Sequence, residues 1–349
     1  MTVASIAERV VAGSRPFFGA GGVRIGETIT DPAIRSRLNR LSRLSSVTHW
    51  RLRNVSLDPW LALMFADGEA LEQTRYVVFE GEEVAARERL AKGRMDLRGK
   101  HLWMGFNRVY SNYYHWITQC VPAIASYQDA SGSNGGELLL RPLSQVQLRA
   151  LELAGIPLRS WTIITQPTTI DVADITYSSL LATHSPSLFG HGVFDRMAGR
   201  VAASTSTTGA PRLIYVWRID SRARPMSNED ALVELLLGYG VEPVILSSLN
   251  LDDQIRLFRD ARLIIGPHGA GLCNIVFCHP GAVLYELFPD HYVNPCVNQI
   301  AQARDLHYWC DAFRAEARPD LWRHATPWRI NLDVVRRRLE EILSFHEIL

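Results

Sequence analysis

The sequence predicts an α/β protein built around parallel sheets, and three observations carry that expectation. Between residues 212 and 310, short apolar runs alternate with amphipathic segments across short connections, the order that produces a parallel sheet covered on both faces. Glycines and polar capping residues punctuate the alternation where helices would begin and end. A looser alternation of the same kind runs over residues 101–164, and 349 residues is a comfortable length for two domains.

In chain order, residues 76–79 and 101–104 read as strands. Residues 112–127 read as a helix capped by Asn112, with Pro122 expected to kink or break it. A strand at 137–140, a helix at 144–154 and a strand at 161–164 complete the first domain. The polar run 202–210 is the best linker. Beyond it, 212–217 is a buried strand. Residues 227–230 resemble a capped helix start leading into 231–237, which Gly238 and Gly240 terminate. Next come a strand at 243–246, a helix at 252–261 with Ile255, Leu257 and Phe258 inward, and a strand at 263–265. A short helix at 270–278, a strand at 282–287, a helix at 298–304 and a last strand at 307–309 follow. Residues 331–349 form an amphipathic helix with Leu332, Val335, Leu339, Ile342 and Leu343 on one side. The expected division is therefore 1–201, 211–330 and a closing helix at 331–349. The basic run Arg336–Arg338 offers a peripheral contact with anionic lipid, although packing of the helix on the body is the simpler reading.

The composition narrows the function. A net charge of +1 gives no nucleic-acid footprint. No apolar run approaches the roughly 20 residues that span a bilayer, and the N-terminus lacks a signal-peptide core. Cys120, Cys273, Cys278, Cys296 and Cys310 are odd in number and scattered. That favours reduced thiols in a cytoplasm over a disulfide framework or a zinc site. Asn54-Val55-Ser56 matches a glycosylation acceptor, but without a secretory signal it reads as chance.

The chemistry concentrates in Gly266-Pro267-His268-Gly269-Ala270-Gly271. An apolar strand runs into a glycine-rich turn that opens into a helix, so free backbone N–H groups face the space where a phosphate or diphosphate would sit. Gly266, Gly269, Ala270, Gly271 and Asn274 are candidates for that contact, with His268 beside the anion. Glu286 lies near the end of the following strand, where its carboxylate would accept from ribose hydroxyls. Arg218, Arg222 and Arg224 follow the first strand of the same domain; Arg218 and then Arg222 are favoured as phosphate ligands. In the first domain, Asn112-Tyr113-Tyr114-His115-Trp116 offers His115 as a base near cell pH, with Tyr113, Tyr114 and Trp116 as flat faces for sugar rings. Aromatic clusters also pack cores, so the residues alone leave both readings open. His184, His191 and His279 have no metal-ligand spacing, and no Asp-x-Asp, Walker loop or Gly-x-Ser-x-Gly elbow is present. The turn reads G-x-x-G-x-G, not the dinucleotide order.

Together these residues resemble glycosyltransferase family 61, which includes bacterial surface-polysaccharide enzymes and eukaryotic N-acetylglucosaminyl- and xylosyltransferases. The resemblance rests on Asn112 to Trp116, Arg218 through Arg222 to Asn228-Glu229-Asp230, Gln254, Gly266 to Ala270 and Glu286-Leu287. It is close from 212 to about 309, weaker at 112–116, and gives nothing before 101. The spacing Arg218-x-x-x-Arg222-x-Arg224 leaves open which arginine takes the second family position.

The resemblance implies a GT-B-like architecture, two Rossmann-like domains facing across a cleft. It also implies a nucleotide-sugar donor held by the C-terminal domain, inversion at the anomeric carbon, and no obligatory metal or other cofactor. The expected function is sugar transfer to a glycan or glycolipid acceptor in surface polysaccharide biosynthesis, in the cytoplasm or peripheral to the inner membrane. His115, or a carboxylate, serves as base, and His268 acts at the donor. The competing expectations are another glycan-modifying transferase, such as a pyruvyl transferase, and a non-catalytic nucleotide- or glycan-binding protein.

Overall fold

The structure, a computed structural model, describes residues 6–12, 15–16, 22–40, 43–44, 46–92, 94–131, 136–157, 161–166, 168–183, 188–203, 212–316 and 325–348. Most of the linker expected at 202–210, and the side chains of His184 and His191, lie outside the described residues. The chain divides into two compact units, Met1–Arg15 with Arg43–Arg200, and Pro16–Ser42 with Val201–Leu349. Each is organised by its own sheet.

In the second unit six parallel strands lie in the order Glu242–Val244, Arg212–Val216, Ala261–Pro267, Val283–Pro289, His307–Phe313 and Val23–Ile25. Numbered along the C-terminal stretch, the first five run 2-1-3-4-5, a doubly wound order. Its switch point falls between Arg212–Val216 and Ala261–Pro267. Alternate side chains of these strands, among them Tyr215, Leu263, Ile265, Tyr285, Leu287 and Trp309, pack on one face against Leu232, Val233 and Leu236 and against Val335, Leu339, Ile342 and Leu343. The latter four come from the helix Leu332–Phe345, which is thus built into this unit's core. Its three arginines are engaged in ion pairs, Arg336 with Asp333, Arg337 with Glu27, and Arg338 with Glu27, Asp311 and Glu341. The sixth strand corrects the placement of all of 1–201 in one domain, because Pro16–Ser42 groups with the C-terminal unit. Asn228 also departs from the expected capping role. Its side chain exchanges hydrogen bonds with the backbone of Ile330 and makes no cap bond to the helix Glu229–Leu237.

The first unit departs further from a Rossmann-like expectation, since its nine-stranded sheet is mixed. Trp161–Ile163, Glu137–Leu140, His101–Met104 and Thr169–Ser178 are parallel neighbours in that order. In chain numbering this is 3-2-1-4, half of a doubly wound sheet, with its switch point between His101–Met104 and Thr169–Ser178. The long strand Val47–Asp58 then adds antiparallel, with Leu63–Ala66 and Glu69–Ala70 beyond it. Residues 76–79 are not a strand. Val77 has a φ of 53°, which breaks extended pairing, and Phe79 caps the helix Glu80–Leu90. The helix expected at 112–127 is composite. Tyr113–His115 is α-helical, Trp116–Cys120 is a π-helical turn, and Val121–Ser131 is α-helical again. Pro122 has no N–H to give the Thr118 carbonyl, and its ring needs room there. The wider turn supplies that room, with the Val121 N–H bonding five residues back to Trp116. Among the described residues, no helix is long and apolar enough to cross a membrane.

Candidate active site

The strand Ala261–Pro267 delivers His268 to the carboxyl edge of the second sheet, at its switch point. The short helix expected next is Ala270–Phe277, a 3-10 helix with Gly269 at its N-cap. Space dictates the glycines. A Cβ on Gly266 would lie 3.0 Å from Leu272 and 3.2 Å from Val216, and one on Gly271 would lie 2.7 Å from Leu246. These two glycines therefore serve packing of the turn. Only Gly269 faces the polar machinery, its added Cβ meeting the Arg218 Nε at 3.1 Å. Asn274 is likewise structural. It is fully buried and donates to Gln254 Oε1 at 2.9 Å, while the Gln254 amide donates to Leu246 and Leu249 carbonyls.

Two guanidinium groups converge on this turn. Arg218 Nη1 donates to the His268 main-chain oxygen at 3.0 Å, and Arg224 Nη2 donates to the same oxygen at 3.1 Å. Arg218 is steadied by Ser221 Oγ at 2.7 Å and the Ala223 carbonyl at 3.2 Å. Arg224 lies over the Tyr292 ring, 4.7 Å from its centroid. Sequence reasoning preferred Arg222, which is exposed. The positive φ of Arg224, 52°, turns that side chain back towards His268 instead. Burial, and then the neighbouring Arg224 charge, pull the Arg218 pKa down to about 10, and burial lowers that of Arg224 too. Glu229 accepts from the Tyr215 hydroxyl at 2.6 Å and the Arg218 N–H at 3.2 Å, and burial raises its pKa. Arg218, Arg224 and Glu229 border a cavity of about 240 Å³, lined also by Trp217, Met226 and Pro267. Two desolvated cations held close together in a cavity are stabilised by an anion between them.

The His268 ring is anchored from beneath. Its Nδ1 lies 2.6 Å from Glu286 Oε1, and the Tyr308 hydroxyl donates to Glu286 Oε2 at 2.6 Å. Glu286 is fully buried with both oxygens engaged, so it positions His268 and is not placed to meet a ribose. Phe288 stacks on the His268 ring at 5.1 Å, and Tyr292 lies at 5.6 Å. Burial holds the Tyr308 hydroxyl well above its ordinary pKa, so it remains a donor.

His115 occupies the equivalent place in the first unit, after the strand His101–Met104 and one helical turn in. Asn112 caps that turn through the Tyr114 N–H at 2.9 Å. The His115 Nδ1 lies 2.8 Å from Gln119 Oε1 and 3.3 Å from the Tyr76 hydroxyl. The expected aromatic platform is not presented as expected. Trp116 is completely buried, and Tyr114 is 6 % exposed and edge-on to His115, leaving Tyr113 alone half-buried. The i,i+4 spacing of His115 and Gln119 was readable on a helix, whereas nothing local marks Tyr76. Among the described residues, no group of three or more His, Cys, Asp or Glu is arranged to hold a metal ion.

The family described as "Glycosyltransferase 61" matches residues 113–285. A 130-residue stretch is 26 % identical to a beta-1,2-xylosyltransferase of Arabidopsis thaliana, covering 31 % of this chain and 24 % of that protein. A 132-residue stretch is 25 % identical to a beta-1,2-xylosyltransferase of Oryza sativa subsp. japonica, covering 33 % and 25 %. Another, of 100 residues, is 31 % identical to the EGF domain-specific O-linked N-acetylglucosamine transferase of Drosophila melanogaster, covering 28 % and 19 %. The match thus spans at most about a quarter of the length of these relatives. The family match takes in His115, Arg218, Arg224 and His268, the residues on which both sites are built. The chain belongs to glycosyltransferase family 61.

Proposed function

We propose that the protein is a glycosyltransferase that moves a sugar from a nucleotide-sugar donor to a glycan or glycolipid hydroxyl, with inversion and without a required metal. The observation that carries this reading is the convergence of Arg218 and Arg224 on the His268 turn at the sheet's switch point. A departing nucleoside diphosphate develops negative charge, and preorganised guanidinium groups stabilise it as it forms. His268 follows Pro267, which lines the cavity bordered by Arg218 and Arg224, and in this reading its ring, held by Glu286, would donate to the leaving group or orient it.

In this reading His115 takes the proton from the acceptor hydroxyl, and the two units adopt the GT-B-like arrangement that the family resemblance implies. The setting we propose is the cytoplasm, in surface-polysaccharide synthesis. That proposal extends the resemblance, and all five cysteines being free thiols supports it. The relatives' names make nucleotide-activated xylose and N-acetylglucosamine the first donors to try. A panel of nucleotide sugars scored for nucleoside diphosphate release, with and without chelator, tests the reading. Release that survives chelator and falls by about a hundredfold in His115→Gln supports it. Release that requires added magnesium or manganese overturns the metal-independent part. Turnover near normal in His115→Gln overturns the base assignment.

A further inference from the structure

The hydrogen bonds around Gln119 fix which nitrogen of His115 carries the proton. Asn107 is oriented unambiguously, because its Oδ1 accepts from the Val109 N–H at 3.1 Å and its Nδ2 donates to the Leu181 carbonyl at 3.1 Å. The same Nδ2 donates to Gln119 Oε1 at 2.8 Å. The Gln119 amide nitrogen donates to the Thr183 carbonyl and, at 2.8 Å, to the Tyr76 oxygen. Rotating the Gln119 amide by half a turn would set oxygen against the Thr183 carbonyl and N–H against the Asn107 N–H. Both contacts are repulsive, and both groups are buried, Gln119 and Asn107 each being 1 % exposed. Gln119 Oε1 is therefore an acceptor facing His115 Nδ1 at 2.8 Å, and the neutral ring must hold its proton there.

We infer that Gln119, locked by Asn107 and Thr183, is a positioning residue that sets the Nδ1–H tautomer of His115 and makes Nε2 the basic nitrogen. The inference rests on the proposed role of His115 as base, and it names the atom that would accept the acceptor's proton. An uncharged amide here does the orienting work that a carboxylate does in serine hydrolases, where the wrong histidine tautomer costs up to about four powers of ten in rate. The π-helical turn Trp116–Cys120 carries Gln119, and such turns recur at functional sites.

The test is histidine-selective 15N NMR of the whole unliganded protein above neutral pH, with the His115 signals assigned by their loss in His115→Gln. The expected wild-type pattern has a protonated Nδ1 and an unprotonated Nε2. A protonated Nε2 overturns the inference, whatever the enzyme turns over. Gln119→Met, which removes the acceptor while keeping the length, should release the tautomer towards Nε2–H. With the donor that supports release, it should lower kcat by about 10- to 100-fold and leave donor KM within about threefold. A Gln119→Met protein that keeps both the Nδ1–H pattern and its turnover also overturns it. If the wild-type pattern is as expected but His115→Gln retains turnover, the positioning stands and the base assignment alone falls.

Discussion

Replacing Arg224 by methionine separates the two things its charge does. Arg224 and Arg218 each place a nitrogen about 3 Å from one carbonyl oxygen, at 3.1 and 3.0 Å. Those nitrogens are therefore no more than about 6 Å apart, and at an effective dielectric near 20 two such charges repel by about 3 kcal/mol. Burial, and then the Arg224 charge, lower the Arg218 pKa, in the direction this repulsion requires. Arg224→Met removes the repulsion and also loses a charge-assisted hydrogen bond worth about 1.5–3 kcal/mol. The two nearly cancel, so the melting temperature of the free protein should move by no more than about 4 °C. Ligand binding has no such cancellation. Losing one guanidinium–phosphate contact should weaken a nucleoside diphosphate by roughly 10- to 100-fold. Calorimetric titration of wild type, Arg224→Met and Arg222→Met measures this directly. The exposed Arg222 should leave affinity within about twofold. An Arg224→Met protein that binds diphosphate as tightly as wild type would refute the assignment, as would a larger loss on removing Arg222.

The glycines of the turn divide the same way. Gly269→Ala meets no backbone strain, since φ is −176°, but crowds Arg218; it should cost less than about 1 kcal/mol of stability while weakening the diphosphate several-fold. Gly271→Ala pushes on Leu246 and should cost about 1–3 kcal/mol of stability with binding nearly unchanged; paired thermal melts and titrations would show the reverse pattern if the turn's roles are misassigned. A further expectation concerns acid. Burial, then His307, Arg24 and Arg262, lower the His346 pKa from 6.5 to about 4, and its Nε2 accepts from the Trp309 indole at 3.1 Å. The folded state therefore disfavours the proton. The stability due to the neutral ring is complete above about pH 6.5 and is lost as pH falls through about 4. His346→Gln should flatten that part of the stability–pH curve, and an unchanged curve would refute the assignment.

The second sheet was legible because its signals are local. Glycine and proline punctuate several of its connections, at Gly238 and Gly240, Gly266-Pro267 and Pro280-Gly281, and its helices carry their own apolar faces. What escaped depended on distant or register-level contacts. Val23–Ile25 pairs with His307–Phe313 across nearly the whole chain, and no local pattern announces it. Glu286 was expected near the end of its strand, but the strand Val283–Pro289 runs three residues past it, and its role turns on Tyr308 of the adjacent strand. The register sets Glu286 opposite Cys310, which leaves Tyr308 as the diagonal neighbour within reach. Arg222 and Arg224 were indistinguishable by spacing. A single residue with positive φ decides between them, and arginine carries no signal for that conformation. Trp116 shows how aromatic residues mislead, since a ring suited to stacking on a sugar is equally suited to a core.

The two histidines share a position but not a partner, and that difference argues for different work. Each follows a parallel strand at its sheet's switch point, where backbone from two diverging connections leaves room for a ligand. In each, Nδ1 faces an oxygen, 2.6 Å away for His268 and 2.8 Å for His115. For His268 that oxygen belongs to a buried carboxylate, and the ring is packed against Phe288 and Tyr292. A carboxylate partner fixes the orientation of the ring through Nδ1, which suits a group that must be held in place beside a diphosphate gaining charge. For His115 the oxygen belongs to a neutral amide that is itself held by acceptors and donors on every side. A neutral partner orients the ring without adding charge to it, which suits a group that must begin the reaction unprotonated. Exchanging the partners, Glu286→Gln in one site and Gln119→Glu in the other, should therefore damage the two sites in opposite senses. The first weakens hold on the leaving diphosphate and appears in donor affinity. The second favours a protonated His115, so the acidic limb of the rate profile moves to higher pH. A Gln119→Glu profile that moves to lower pH would remove the basis for assigning these separate roles.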